Sequence, residues 1–102
     1  MRNYELVVII HPDLDDEAIN ASIDKIKDWI DKGGGKIESL ENWGKHHLAY
    51  EIQKQSEGIY FLINALLPPD FIAELENNLS ILEPVMRHLI VAKQMKKAKN
   101  KE

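Results

Sequence analysis

The sequence contains no cysteine. That excludes disulfides, thiolate metal sites and a cysteine nucleophile, and it fits a reducing compartment. It has no long apolar run, so no segment reads as membrane-spanning. An export signal is also missing, because Met1-Arg2-Asn3-Tyr4-Glu5 places an acid where the apolar region would lie. Base is scarce as well: 13 Lys and Arg stand against 17 Asp and Glu, for a net charge of −4. The balance is uneven along the chain. Residues 93–102 hold five lysines and one acid, so the preceding 92 residues carry eight bases, sixteen acids and a net −8. An acidic body argues against broad, sequence-blind nucleic-acid binding, and the basic end leaves local contact with phosphate open.

Catalytic groupings are missing too. Only four serines occur (Ser22, Ser39, Ser56 and Ser80), and none lies in a nucleophile-elbow context. Carboxylates are plentiful but fall on the wet faces of expected helices. The histidines are His11, His46, His47 and His88. None has the HxH, HxxxH or HExxH spacing of a metal site. Adjacent His46 and His47 would point to opposite faces of a strand. No enzyme, metal, cofactor or small-molecule substrate is implied.

What is present is a clear alternation of patterns over 102 residues, with 44% hydrophobic content, enough for one domain with its own core. Residues 3–11 read as a strand with Leu6, Val8 and Ile10 on one face and Val7 and Ile9 on the other, so it is central and covered on both sides. A helix follows from about Asp16 to Lys32. Asp15 is its N-cap, and Ile19, Ile23, Ile26 and Ile30 form its buried stripe. Gly33-Gly34-Gly35 comes after that helix, and no Lys-Ser/Thr pair follows, so it is a C-terminal cap and turn rather than a phosphate loop.

Residues 36–43 and 46–53 read as one long strand with a bulge near Asn42–Lys45, which Gly44 suits. Gln53 to Gly58 reads as a polar turn, and Ile59 to Leu66 as a second central strand. Pro68-Pro69-Asp70 opens a second helix whose buried face is Ile72, Leu75, Leu79 and Leu82. Val85 to Ala92 is the last strand. The order βαββαβ is that of an α+β, ferredoxin-like fold: a four-stranded antiparallel sheet in the order 4-1-3-2 with two helices on one face. Residues 1–94 form the domain, and 95–102 a basic tail expected to be disordered. The sheet face away from the helices should carry Val7, Ile9, Tyr60, Leu62, Leu89 and Val91, an apolar patch of the kind that binds partners. A base-stacking RNA recognition motif fits poorly: Glu57-Gly58-Ile59-Tyr60-Phe61 begins with an acid, and its two aromatics face opposite ways.

The stretch Trp43-Gly44-Lys45-His46-His47-Leu48-Ala49-Tyr50-Glu51-Ile52 carries more than pattern. Together with Met1-Arg2-Asn3-Tyr4-Glu5, Pro12-Asp13-Leu14, Gly58-Ile59-Tyr60 and Val85-Met86-Arg87, it resembles the bacterial small-subunit ribosomal protein S-six (S6) family over about residues 1–93. The resemblance implies the ferredoxin-like fold, no enzymatic activity and a structural role in the small ribosomal subunit. It implies binding to the central domain of 16S ribosomal RNA together with ribosomal protein S-eighteen (S18). It also makes Leu48, Tyr50 and Ile52 scaffold. Arg2, Tyr4, Lys45, His46, His47, Arg87 and Lys93 are then the candidates for contact with RNA or partner. Two positions depart from the family pattern: His46 stands where a stronger base is usual, and Gln53 follows Ile52 where a basic or small residue is usual. A neutral imidazole grips phosphate less firmly than arginine does. The competing reading is a regulatory or small-ligand-binding domain of the same fold that dimerises through its sheet.

Overall fold

The computed structural model describes residues 1–52 and 54–93. Strand β1 (Arg2–Ile10) leads to helix α1 (Asp16–Lys32), then to strands β2 (Lys36–Ile52) and β3 (Gln55–Leu67). A single 3-10 turn, Pro69–Phe71, runs into helix α2 (Ile72–Ile81), and strand β4 (Val85–Ala92) closes the order. The strands form one antiparallel sheet in the order β2-β3-β1-β4, the expected order read from its other edge. The expectations placed on the tail and on Gln53 lie outside the described residues.

The core lies on one face of the sheet. Tyr4, Leu6, Val8 and Ile10 of β1 meet Phe61, Ile63, Ala65 and Leu67 of β3 there. Over them lie the four isoleucines of α1 and Leu75 and Leu79 of α2. Helix α1 starts where the cap residue says it should: Ala18 N–H donates to Asp15 Oδ1 at 2.8 Å. Asp16 and Glu17 fill the first turn, where the helix dipole favours negative charge. Ser22 is buried among the isoleucines, and its hydroxyl donates to the Ala18 carbonyl at 3.0 Å, so no polar group is stranded.

The triple glycine serves packing. Gly33 and Gly35 N–H groups donate to the Trp29 and Ile30 carbonyls, each at 2.9 Å, closing the helix end. The Phe71 ring sits where a side chain on Gly33 would be, with an ideal Cβ only 2.5 Å from it. The second helix differs from its sequence reading at its start. Pro68 and Pro69 have no N–H groups to give an α-helical ladder, and the first turn is a tight 3-10 turn closed by Phe71 N–H to the Pro68 carbonyl at 3.0 Å.

The β2–β3 turn also differs. Ile52 pairs with Gln55, and Lys54 takes the left-handed φ of +66°, so the hairpin turns early and Gln55–Gly58 belong to β3. These polar residues read as a turn because they face no core, but they still pair backbone to backbone with β2. The bulge at Asn42–Gly44 is where the sequence places it. The register shifts there, Gly44 has φ +81°, and its N–H donates to Asn42 Oδ1 at 2.8 Å.

Burial predicts the energetics. Leu75→Ala removes a side chain with 0% exposure and is expected to cost about 2–5 kcal/mol. Ile81→Ala, at a position 72% exposed on the same helix, should stay within about 0.5 kcal/mol of the parent. Urea unfolding of both variants measures the contrast, and similar losses would show that this helix is not packed as described.

Candidate functional site

The strand register fixes which side chains share the face opposite the helices. Val7, Leu62 and Leu89 form one row across the sheet, and Ile9, Tyr60 and Arg87 form the next. Glu5, Asn64 and Val91 form the row on the other side. From the edge strand β2, Ser39, Glu41 and Gly44 join these rows. The patch is graded. Ile9 and Leu62 are 8% and 9% exposed although neither belongs to the helix-side core, whereas Leu89 and Val91 on the β4 edge are 57% and 43% exposed.

Ile9 is shielded by a close approach. A Cβ at Gly58 would lie 2.4 Å from Ile9 Cγ2 and 3.7 Å from Leu48 Cδ2, so both side chains border the space that glycine leaves open. Leu48 arrives there because the hairpin is irregular. Between the pairs His47–Glu57 and Ile52–Gln55, β2 carries four residues, Leu48 to Glu51, against Ser56 alone. This wide bulge turns the arm back over the sheet. Tyr50 thereby meets Arg87 of β4, three strand spacings away, or about 14 Å of sheet. Arg87 Nη1–H donates to the Tyr50 hydroxyl, and the guanidinium carbon lies 5.7 Å from the centre of the Tyr50 ring.

The central stretch divides as strand alternation requires. His46 pairs with Gly58 and turns to the open face, where its ring stands edge-on to Tyr60 with centroids 5.4 Å apart. Its Nε2 lies 2.8 Å from the Trp43 carbonyl oxygen and so donates to it. Trp43 Nε1–H in turn donates to Glu41 Oε1 at 2.8 Å. Lys45 and His47 pair with Ile59 and Glu57 and turn to the helix side. Lys45 borders a shallow depression with Asp16 and Asn20, and His47 Nδ1 is 3.8 Å from Glu57 Oε2.

The other end of the open face carries a polar chain. Lys93 Nζ donates to Asn64 Oδ1 at 3.2 Å, and Asn64 Nδ2 donates to Ser39 Oγ at 2.9 Å, so the chain reaches from the β4 end to β2. Arg2 is exposed and pairs with Leu67 at this end. It is seven residues from Ile9 along β1, roughly 23 Å at about 3.3 Å per residue. The candidate set therefore forms no single cluster. His46 and Arg87 share one end of the open face and Lys93 lies at its other end, whereas Arg2, with the parity of Tyr4 and Leu6, lies on the helix side of the sheet, as Lys45 and His47 do.

Two readings are corrected. Tyr4, expected to touch RNA or a partner, is 8% exposed and belongs to the core cluster, because it has the same parity as Leu6 and Val8. Tyr50, expected to be scaffold, is 60% exposed, because the bulge takes it out of strand alternation. Ser39 and Asn64 were missed as well. A polar asparagine in the middle of an apolar central strand was the available signal for the second. No sequence signal links Tyr50 to Arg87, 37 residues away. Among the described residues, no group of three or more His, Asp or Glu is placed to hold a metal ion.

With this geometry in hand, comparison with known proteins is specific. Residues 3–92 match the family model described as Ribosomal protein S6. The small ribosomal subunit protein bS6 of Clostridium beijerinckii is 44% identical over 95 residues, covering 93% of this chain and 100% of that protein. The bS6 of Beutenbergia cavernae is 42% identical over 91 residues, covering 89% and 95%. The crystal structure of 30S ribosomal protein S6 from Thermotoga maritima aligns with a TM-score of 0.85 at 30% identity, covering 90% of this chain and 87% of that one. The C-terminal domain of MgtC from Mycobacterium tuberculosis, with a TM-score of 0.65 at 16% identity, shares the fold alone.

The two tyrosines make a paired prediction. Tyr4→Ala should lower stability by about 3–5 kcal/mol, as loss of a buried aromatic does. Tyr50→Ala should lower it by less than about 1 kcal/mol, since only a surface hydrogen bond and partial ring contact are lost. Thermal or urea unfolding reads both, and a reversed order would overturn the assignment of the rings to core and surface.

Proposed function

This chain belongs to the Ribosomal protein S6 family, and from that premise we propose that it binds the central domain of 16S ribosomal RNA together with ribosomal protein S18. Members of the family are structural constituents of the small ribosomal subunit, not enzymes, and the place of this chain is the ribosome in the cytoplasm. The observation that carries the proposal is the extent of the match, residues 3–92, which takes in every strand and helix of the described residues but for Arg2 at the start of β1.

Physical reasoning supports the shared mode of binding. A body of net −8 is repelled by a phosphate backbone at long range. It can dock only where a few bases stand clear of the acids, or where a partner supplies positive charge. On this reading Arg87 and His46 serve one end of the open face and Lys93 the other, while Arg2 serves the helix side of the sheet at the Lys93 end. Lys45 and His47 serve the helix side of the hairpin. The exposed Leu89 and Val91 suit contact with protein rather than with phosphate. The competing reading, a domain dimerising through its sheet, requires a solution mass of twice 11.8 kDa.

Mobility-shift titration of a 16S central-domain fragment with the full chain, with and without S18, tests the proposal. A complex that needs S18 and weakens with added salt is expected, with log K falling by roughly 0.9 per phosphate neutralised for each unit of log salt. Failure to form a ternary complex at low salt would remove the RNA assignment. A homodimer by light scattering would favour the competing reading.

A further inference from the structure

We propose that Tyr50 is the positioning residue for Arg87, holding its guanidinium on the open sheet face where it meets a phosphate of an RNA backbone. The inference rests on the RNA-binding reading given above and adds a residue which that reading had placed in the scaffold.

Three observations carry it. The first is that Tyr50 gains little by burial. It is 60% exposed, yet the chain reaches it through a bulge that sets four residues of β2 against one of β3 and gives up regular ladder pairing to do so. A side chain placed at that cost and left in solvent has its purpose at the surface. The second is the tie itself. Arg87 donates to the Tyr50 hydroxyl and lies 5.7 Å from the centre of its ring, which fixes the end of a long side chain that would otherwise sample many rotamers.

The third is the charge. The chain holds 17 acids, but among the described residues no carboxylate pairs with Arg87. A phenol orients the guanidinium and leaves its positive charge and remaining N–H donors free. That is the arrangement suited to an incoming phosphate. His46, a second group able to meet phosphate, lies on the same face with its ring edge-on to Tyr60.

The test uses the full chain as wild type, Arg87→Ala, Tyr50→Phe and the double variant. Each is titrated onto the 16S central-domain fragment in the presence of S18 at several salt concentrations, and onto S18 without RNA. Arg87→Ala should weaken RNA binding about tenfold and reduce the salt slope by about one. Tyr50→Phe, which keeps the ring and loses the hydroxyl, should weaken it about three- to tenfold with an unchanged melting temperature. Added to Arg87→Ala it should cost nothing more, because the residue it positions is already gone.

The inference is overturned if Tyr50→Phe binds like wild type while Arg87→Ala does not, or if the two losses add. It is overturned, with the wider function intact, if Arg87→Ala binds RNA like wild type. Loss of affinity for S18 alone would make the contact one with protein and would likewise sink it. If wild type itself fails to bind RNA, the functional reading falls and this inference falls with it.

Discussion

The alternation of side chains along β1 and β3 is the constraint on which the rest depends. Neighbouring residues on a strand face opposite ways, so the two central strands must be apolar on both faces or leave one face polar. They are apolar on both. One parity, Leu6, Val8, Phe61 and Ile63, takes the helices. The other, Val7, Ile9, Tyr60 and Leu62, is left with no helix above it. The molecule answers this in two ways. On the β2 side the hairpin is irregular, and Ile9 and Leu48 both border Gly58. On the β4 side nothing within the described chain covers Leu89 and Val91. The same alternation sends His46 to one face and His47 to the other, so two adjacent imidazoles never share a ligand.

Most of the scaffold was legible because its signals are local. Asp15 before a stripe of four isoleucines gives both the start and the buried face of α1, and the structure agrees at both ends of the helix. Gly44 between two runs of opposite parity gives the bulge. The order βαββαβ leaves few sheet topologies, and the ferredoxin-like one is the outcome. The candidate site was less legible, for a definite reason. Leu48, Tyr50 and Ile52 alternate well, and alternation within a strand predicts burial only if the strand keeps its register. Here the register shifts between His47 and Ile52, so the pattern persists while its meaning changes. Tyr4 fails in the opposite sense. The resemblance implies a contact at the opening segment, whereas the parity of Tyr4 with Leu6 places its ring inside.

The distribution of charge shapes how such a protein can meet RNA. An acidic body gains nothing from general attraction, so affinity must come from a few contacts whose geometry is fixed beforehand. The bases are spread in keeping with this. Roughly 23 Å of β1 separates the level of Arg2 from that of Arg87, and no basic patch joins them. On the proposed reading, contacts so far apart would act as points that set orientation. Each is weak alone, and each is sensitive to how well its side chain is held.

Holding a cation in an acidic protein raises a conflict that the choice of partner resolves. The commonest way to fix an arginine is a carboxylate, which makes two parallel hydrogen bonds and sets the plane of the guanidinium. It also cancels the charge, and an arginine so paired repels a phosphate through its partner. A tyrosine hydroxyl can accept a hydrogen bond from the guanidinium without bringing a carboxylate's charge. The tie between Arg87 and Tyr50 is of this kind. The hairpin arm is long enough, and irregular enough, to carry a phenol acceptor across the sheet to Arg87, which among the described residues pairs with no carboxylate. Substitution of that acceptor by an acid of similar reach would keep the arginine in place and remove its use. The bulge in β2 is therefore best understood as the means by which an acidic fold keeps one oriented positive charge.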